Sequence, residues 1–110
     1  MKKEEPIIEI SKEFVKEKFK EYNDLYFNGE LKMPKITLID GTKYAGQFVY
    51  KKGGLYAKPQ DKDKLRYTEI QIAENIIWTE KSFRSVLVHE MIHYYIQAKN
   101  LYQHWLFDIV

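Results

Sequence analysis

A chain of 110 residues has room for one hydrophobic core and not for a second domain. Hydrophobic residues at 45% and charged residues at 31% describe a chain that folds, not a disordered one. The absence of cysteine excludes disulfide staples, thiolate metal sites and thiol catalysis, and a net charge of +2 is too small to imply a nucleic-acid partner by itself.

Residues 1–10 mix charged and apolar side chains without a continuous apolar run, so neither a signal peptide nor a membrane anchor is expected, and the chain reads as cytoplasmic. Pro6 discourages helix there, and Ile7, Ile8 and Ile10 fit a docked edge strand. From Ser11 the pattern changes. Val15, Phe19, Tyr22 and Tyr26 recur at steps of four, three and four, the spacing of one helical face, with Ser11 placed to cap the start and Asn28-Gly29 to stop it.

After Pro34, residues 35–40 alternate and predict a strand with Ile36 and Leu38 on one side. Gly41 breaks it. Residues 45–52 predict a second strand carrying Phe48 and Tyr50 on one face, ended by Gly53-Gly54. Residues 55–58 are read as a short return strand and 59–64 as a charged loop. Residues 67–73 give the clearest alternation in the chain, with Thr68, Ile70 and Ile72 opposed to Tyr67, Glu69 and Gln71. Thr79 then caps a long helix over about 80–99, Asn100 stops it, and the aromatic stretch 101–110 predicts a short final helix. Helix, strands, helix, helix implies an α+β domain over residues 1–110, its helices packed on a small, mostly antiparallel sheet of three to four strands.

The long helix carries the chemistry. Residues 89–93 read His-Glu-Met-Ile-His, the H-E-x-x-H pattern. Histidines four apart share a helical face with Cβ atoms about 5–6 Å apart, so both imidazoles reach one zinc ion. Glu90 sits about 100° round the helix from His89 and about 60° from His93, where it can serve as a general base without being a ligand. Apolar residues cover most of the remaining circumference, which predicts a buried helix whose polar sector, formed by Ser85, His89, Glu90, His93 and Gln97, faces an internal cleft. A catalytic zinc needs a third protein ligand. His104 is the other histidine, eleven residues past His93, with Asp108 or a residue outside this chain as the alternatives.

These residues resemble the SprT-like metallopeptidase family, and the likeness extends beyond the motif. Residues 22–31, Tyr-Asn-Asp-Leu-Tyr-Phe-Asn-Gly-Glu-Leu, are similar to that family's helix ending in an aromatic-Asn-Gly-x-Leu turn. Ala45-Gly46 resembles its Ala-Gly at the start of a strand, residues 69–73 its strand before the active helix, and 86–93 its hydrophobic-x-x-His-Glu-Met-x-His signature. The resemblance implies a zincin-like fold and zinc-dependent peptide hydrolysis. One departure stands out: the family usually places its third zinc histidine before a glycine, whereas His104 precedes Trp105, so either the ligand is unusual or the chain is a fragment that stops short of it.

Two other functions compete with the peptidase. Lys43, Lys51, Lys52, Lys58, Lys62, Lys64 and Arg66 crowd residues 43–67 among Tyr44, Phe48, Tyr50, Tyr56 and Tyr67, a composition that suits single-stranded nucleic acid. A solvated sheet face with its rings in the core accounts for the same pattern. An inactive metal-binding interaction domain is the third reading.

Overall fold

The computed structural model describes residues 5–100, so the short final helix expected over 101–110 lies outside the described residues. The chain runs β1 (Ile7–Ile8), α1 (Lys12–Phe27), β2 (Lys35–Ile39), β3 (Gly46–Lys52), β4 (Leu65–Ala73), β5 (Trp78–Thr79) and α2 (Glu80–Ala98). The architecture is α+β. No described helix is long and apolar enough to cross a membrane.

Helix α1 starts where the sequence predicts, with the Ser11 hydroxyl accepting from the Phe14 N–H at 3.1 Å. It ends at Asn28, left-handed at φ 54°, with the Gly29 N–H donating to the Asn23 carbonyl at 2.9 Å. Its buried residues are Val15, Phe19, Tyr22, Asn23 and Phe27, while Tyr26 is half exposed. The core has shifted toward the Asn23 flank in the last turn. The Asn23 amide donates to the Leu31 carbonyl at 2.7 Å and accepts from the Leu31 N–H at 3.0 Å, folding the following segment back onto that side. Phe27 then meets Tyr95 of α2 at a ring separation of 5.4 Å.

The main sheet has the order β2-β4-β3. Strand β4 pairs in parallel with β2, Ile36 opposite Ile70, and antiparallel with β3, Phe48 opposite Ile70. The sheet is therefore mixed, where the sequence predicts mostly antiparallel pairing. Strands β2 and β3 follow each other in the chain, yet β4 lies between them. Alternation shows which residues share a face but not which strand takes the centre. The most deeply buried strand takes it, since Ile70, Ile72 and Ala73 of β4 are fully enclosed. A separate two-stranded ribbon pairs β1 with β5, Ile8 opposite Trp78, which realises the predicted docking of Ile7 and Ile8.

The predicted return strand over 55–58 does not form. Gly53 and Gly54 adopt φ 44° and 143°, and the Gly53 N–H closes the hairpin base on the Lys64 carbonyl at 3.0 Å. Residues 54–63 are thereby carried out past the paired strands, with a 3₁₀ turn at Pro59–Asp61.

Helix α2 begins at a capping box formed by Thr79 and Ser82. Its inward face is Phe83, Leu87, Met91 and Tyr94, as the periodicity predicts. The prediction of burial on nearly all sides is corrected: His89 and His93 are exposed, and Ile92 keeps 45% of its surface. Sheet and α1 cover one side of α2, and among the described residues nothing covers the Val88–Ile92 flank to the same degree.

On the sheet face turned away from the helices, Glu69 is 8% exposed and accepts from the Tyr67 hydroxyl and from the Gln71 amide at 3.1 Å. The Tyr67 hydrogen bond, assisted by Gln71, holds the Glu69 carboxyl below the ordinary carboxylate range despite its burial.

Two outcomes follow from these contacts. Asn23→Ala strands two buried backbone groups of Leu31 and is expected to lower the unfolding free energy by about 2–4 kcal/mol in urea titrations. Because the folded Glu69 is the stronger acid, its contribution is complete above the unfolded carboxylate pKa of about 4.3 and is lost as pH falls through the lower folded value. Glu69→Gln is therefore expected to flatten the acid limb of the stability curve in urea titrations between about pH 5 and 2.

Candidate metal centre

One helical turn of α2 brings the two motif histidines together. His89 and His93 direct their Nε2 atoms at each other, 3.1 Å apart, with ring centroids at 4.7 Å and planes at 81°. Two nitrogens held at about 2.0–2.1 Å by one tetrahedral ion stand roughly 3.3 Å apart, so the pair needs almost no adjustment to share a cation. Two imidazole lone pairs facing each other at this separation repel unless a proton or a cation lies between them.

Glu90 occupies the next position round the helix and is only 8% exposed. Its burial has a specific source in β3. A Cβ built on Gly46 would lie 2.7 Å from Val86 Cγ1, 3.4 Å from Glu90 Cγ and 3.4 Å from the Gln71 carbonyl. Helix and strand therefore approach at Gly46 more closely than a Cβ allows unless Val86 moves, and the aliphatic stem of Glu90 lies beside that glycine. Among the described residues no Lys or Arg forms a salt bridge with this carboxylate.

The predicted polar sector does not face one enclosed cleft. It splits across a ridge. Glu90, His93 and Gln97 border a cavity of about 390 Å³ against β3, walled by Tyr44, Phe48 and Tyr50. Ser85 and His89 border another of about 410 Å³, on the side of Tyr26, Arg84, Val88 and Ile92. The two Nε2 atoms meet at the crest between these grooves.

Among the described residues no group of three or more His, Asp or Glu could hold a metal. His104 and Asp108, the predicted third-ligand candidates, fall outside the described residues. Sequence reasoning missed the groove walls: Tyr44, Phe48 and Tyr50 were read only as strand residues or base-stacking rings. The Ala45-Gly46 pair was the available signal, and its physical content is the missing Cβ. Of the seven basic residues singled out in the sequence, Lys51, Lys52, Lys58, Lys62, Lys64 and Arg66 lie on the β3–β4 hairpin, and Lys43 precedes β3. Some of the rings among them are engaged, while Tyr44 and Tyr56 are exposed. Tyr50 stacks on Phe48, Phe48 stacks on Tyr94, and Tyr67 bonds Glu69.

The arrangement defines a class: an α+β domain whose second helix presents a histidine pair and a buried glutamate over a groove at a sheet edge. A family model, SprT-like, matches residues 15–104, and the chain belongs to the SprT-like family. No curated protein and no solved structure matches it.

The close approach at Gly46 has a thermodynamic signature. Gly46→Ala forces its methyl group onto Val86 and is expected to cost about 1–3 kcal/mol. Val86→Ala removes the clashing methyl group, so it should cost measurably less in the Gly46→Ala background than alone. Additive losses in urea titrations of the double-mutant cycle would rule out that contact.

Proposed function

We propose that the protein is a zinc-dependent peptidase in which His89 and His93 hold the metal and Glu90 is the general base. The observation that carries this reading is the 3.1 Å spacing of the two Nε2 atoms beside a carboxylate buried against β3. The donor set suits zinc, because neutral imidazoles and a carboxylate neighbour are the ligands and base that this ion uses in hydrolysis. Zinc bound there supplies Lewis acidity, which makes a water nucleophilic near neutral pH and polarises the scissile carbonyl.

Glu90 accepts the proton of the attacking water on its carboxylate and returns it to the departing amine. Its stem lies where α2 comes closest to Gly46, which limits how far the carboxylate can swing between the two transfers. Strand β3 is an edge of the sheet, and its unpaired side lies along the groove that holds Glu90 and His93. An extended polypeptide adds to such an edge through main-chain hydrogen bonds, which places the bond to be cut beside Glu90.

His104 is the proposed third ligand. Asn100 at φ 54° turns the chain out of helix α2. Four further residues reach up to about 14 Å, against about 10 Å of helix between Asn100 and His93, so chain length permits the contact.

Metal analysis and peptide cleavage test the proposal together. The purified protein is expected to carry one zinc, to lose cleavage with a chelator and to regain it on adding zinc. His89→Ala and His93→Ala should lose the metal. Glu90→Gln should keep the metal and lower kcat at least about 100-fold. Full activity in Glu90→Gln would remove the assigned base, and stoichiometric zinc in His104→Ala but not in Asp108→Ala would transfer the third-ligand role to Asp108.

A further inference from the structure

The groove beside Glu90 does not stop at the end of the helix. Along β3, Gly46 abuts Glu90, Phe48 stacks on Tyr94 at 5.2 Å, Tyr50 stacks on Phe48 at 5.4 Å, and the Lys52 ammonium lies 5.9 Å from the Tyr50 ring. Glycine, two aromatics and a cation thus follow one another on alternate residues of one strand. The run from Gly46 to Lys52 covers seven residues, six steps or about 20 Å of extended chain.

Past Tyr50 the surface becomes strongly positive. The register slips between Lys51 and Lys52: Lys51 pairs with Tyr67 and Lys52 with Leu65, so Arg66 is the extra residue of a bulge. Arg66 and Lys64 line the cavity that opens beyond Tyr94 and Ala98, together with Lys32 and the carboxylates Glu30 and Asp63, three cations against two anions. Between Tyr50 and Tyr67 the sequence holds six cations and two carboxylates, a net +4 in a chain whose total is +2. At the hairpin tip Leu55 and Tyr56 are more than 90% exposed.

We infer that this end of the hairpin is a substrate exosite. It selects extended polypeptides that carry acidic residues about five to seven positions to one side of the scissile bond, with Lys52 and Arg66 as the specificity-determining cations. The inference rests on the peptidase reading of the groove and names the substrate class. Continuity favours a polypeptide over a nucleic acid: a chain paired to β3 at Glu90 reaches Lys52 after six residues. Two of the rings are partly committed: Tyr50 has one face on Phe48 and the Lys52 ammonium near its ring while keeping 41% of its surface, and Tyr67 is tied to Glu69 with Lys51 5.7 Å from its ring. That leaves exposed Tyr44 and Tyr56, before and after β3, in place of a continuous row of rings for stacked bases.

Labelled peptides of one central sequence, with three Glu, three Ser or three Lys placed five to seven residues to either side of the centre, test this on the zinc-loaded full chain. Binding is read by fluorescence anisotropy on the Glu90→Gln protein and cleavage on the wild type. The acidic tail on one side is expected to bind about tenfold more tightly than the Ser tail, the yield of two or three exposed ion pairs, and to lose that advantage in 0.5 M salt. Lys52→Glu combined with Arg66→Glu is expected to invert the order, so that the Lys tail binds best, an outcome that unfolding cannot produce. Equal binding of all tails overturns the exosite. So does an oligothymidylate that binds more tightly than the acidic peptide and is lost in the same double variant. If the acidic preference holds while no peptide is cleaved by the wild type, the peptidase reading fails and the acidic-polypeptide surface stands.

Discussion

The geometry of this domain depends on one missing methyl group. Gly46 lets helix α2 settle against the first residue of β3 at a distance that a Cβ would forbid, with Val86 on one side and the Glu90 stem on the other. A helix packed on a sheet through ordinary side chains leaves room for a flexible glutamate to wander. Here the backbone itself is the wall. The position of Glu90 relative to the histidine pair is set by a contact between two main elements of the fold, so the polar groups inherit the rigidity of the core.

That core has a clear order of construction. Strand β4 supplies its centre, α1 and α2 cover one face of the sheet, and the ends of α2 are tied down separately. Thr79 and Ser82 close the N-terminal turn, while the preceding Trp78 donates its indole N–H to the Ala73 carbonyl at 2.7 Å. Toward the other end, Tyr94 donates to the Lys32 carbonyl at 2.9 Å and stacks on Phe48. The motif histidines sit between these two anchors. A helix held at both ends and pressed on a sheet edge in the middle cannot slide, which is what two imidazoles sharing one small ion require.

Much of this was legible in the chain, and the failures have physical causes. Ser11, Asn28-Gly29 and Thr79 mark helix ends because capping chemistry is local, and the inward stripe of α2 follows from a 3.6-residue period. Strand order was not legible, because pairing is a long-range choice that alternation within one strand does not encode. The expected strand over 55–58 failed because Gly53-Gly54 turns the chain away before any partner is met. Burial of α2 was overestimated for a related reason. An apolar residue such as Ile92 announces that covering it is favourable, not that a described neighbour covers it. The histidine pair was legible because i and i+4 on a helix are neighbours in any fold. Its division between two grooves was not, since that depends on where β3 and Tyr26 come to rest.

The mixed sheet also explains why the groove is open at all. Had the strands paired in chain order, β2 against β3 and β3 against β4, then β3 would lie in the middle of the sheet and its backbone groups would be consumed. Inserting β4 between its predecessors leaves β3 at the edge, with Gly46 next to Glu90 and Lys52 at the far end. An open edge invites pairing with any extended chain, and proteins that do not use such edges blunt them with charge, proline or bulges. Strand β3 carries its charge, and meets the bulge of β4, only at the hairpin end, beyond Tyr50. The stretch from Gly46 to Tyr50, flanking the histidine pair, has no charged residue and no proline. The protection is thus absent along the same five residues where an extended chain would have to lie to meet Glu90.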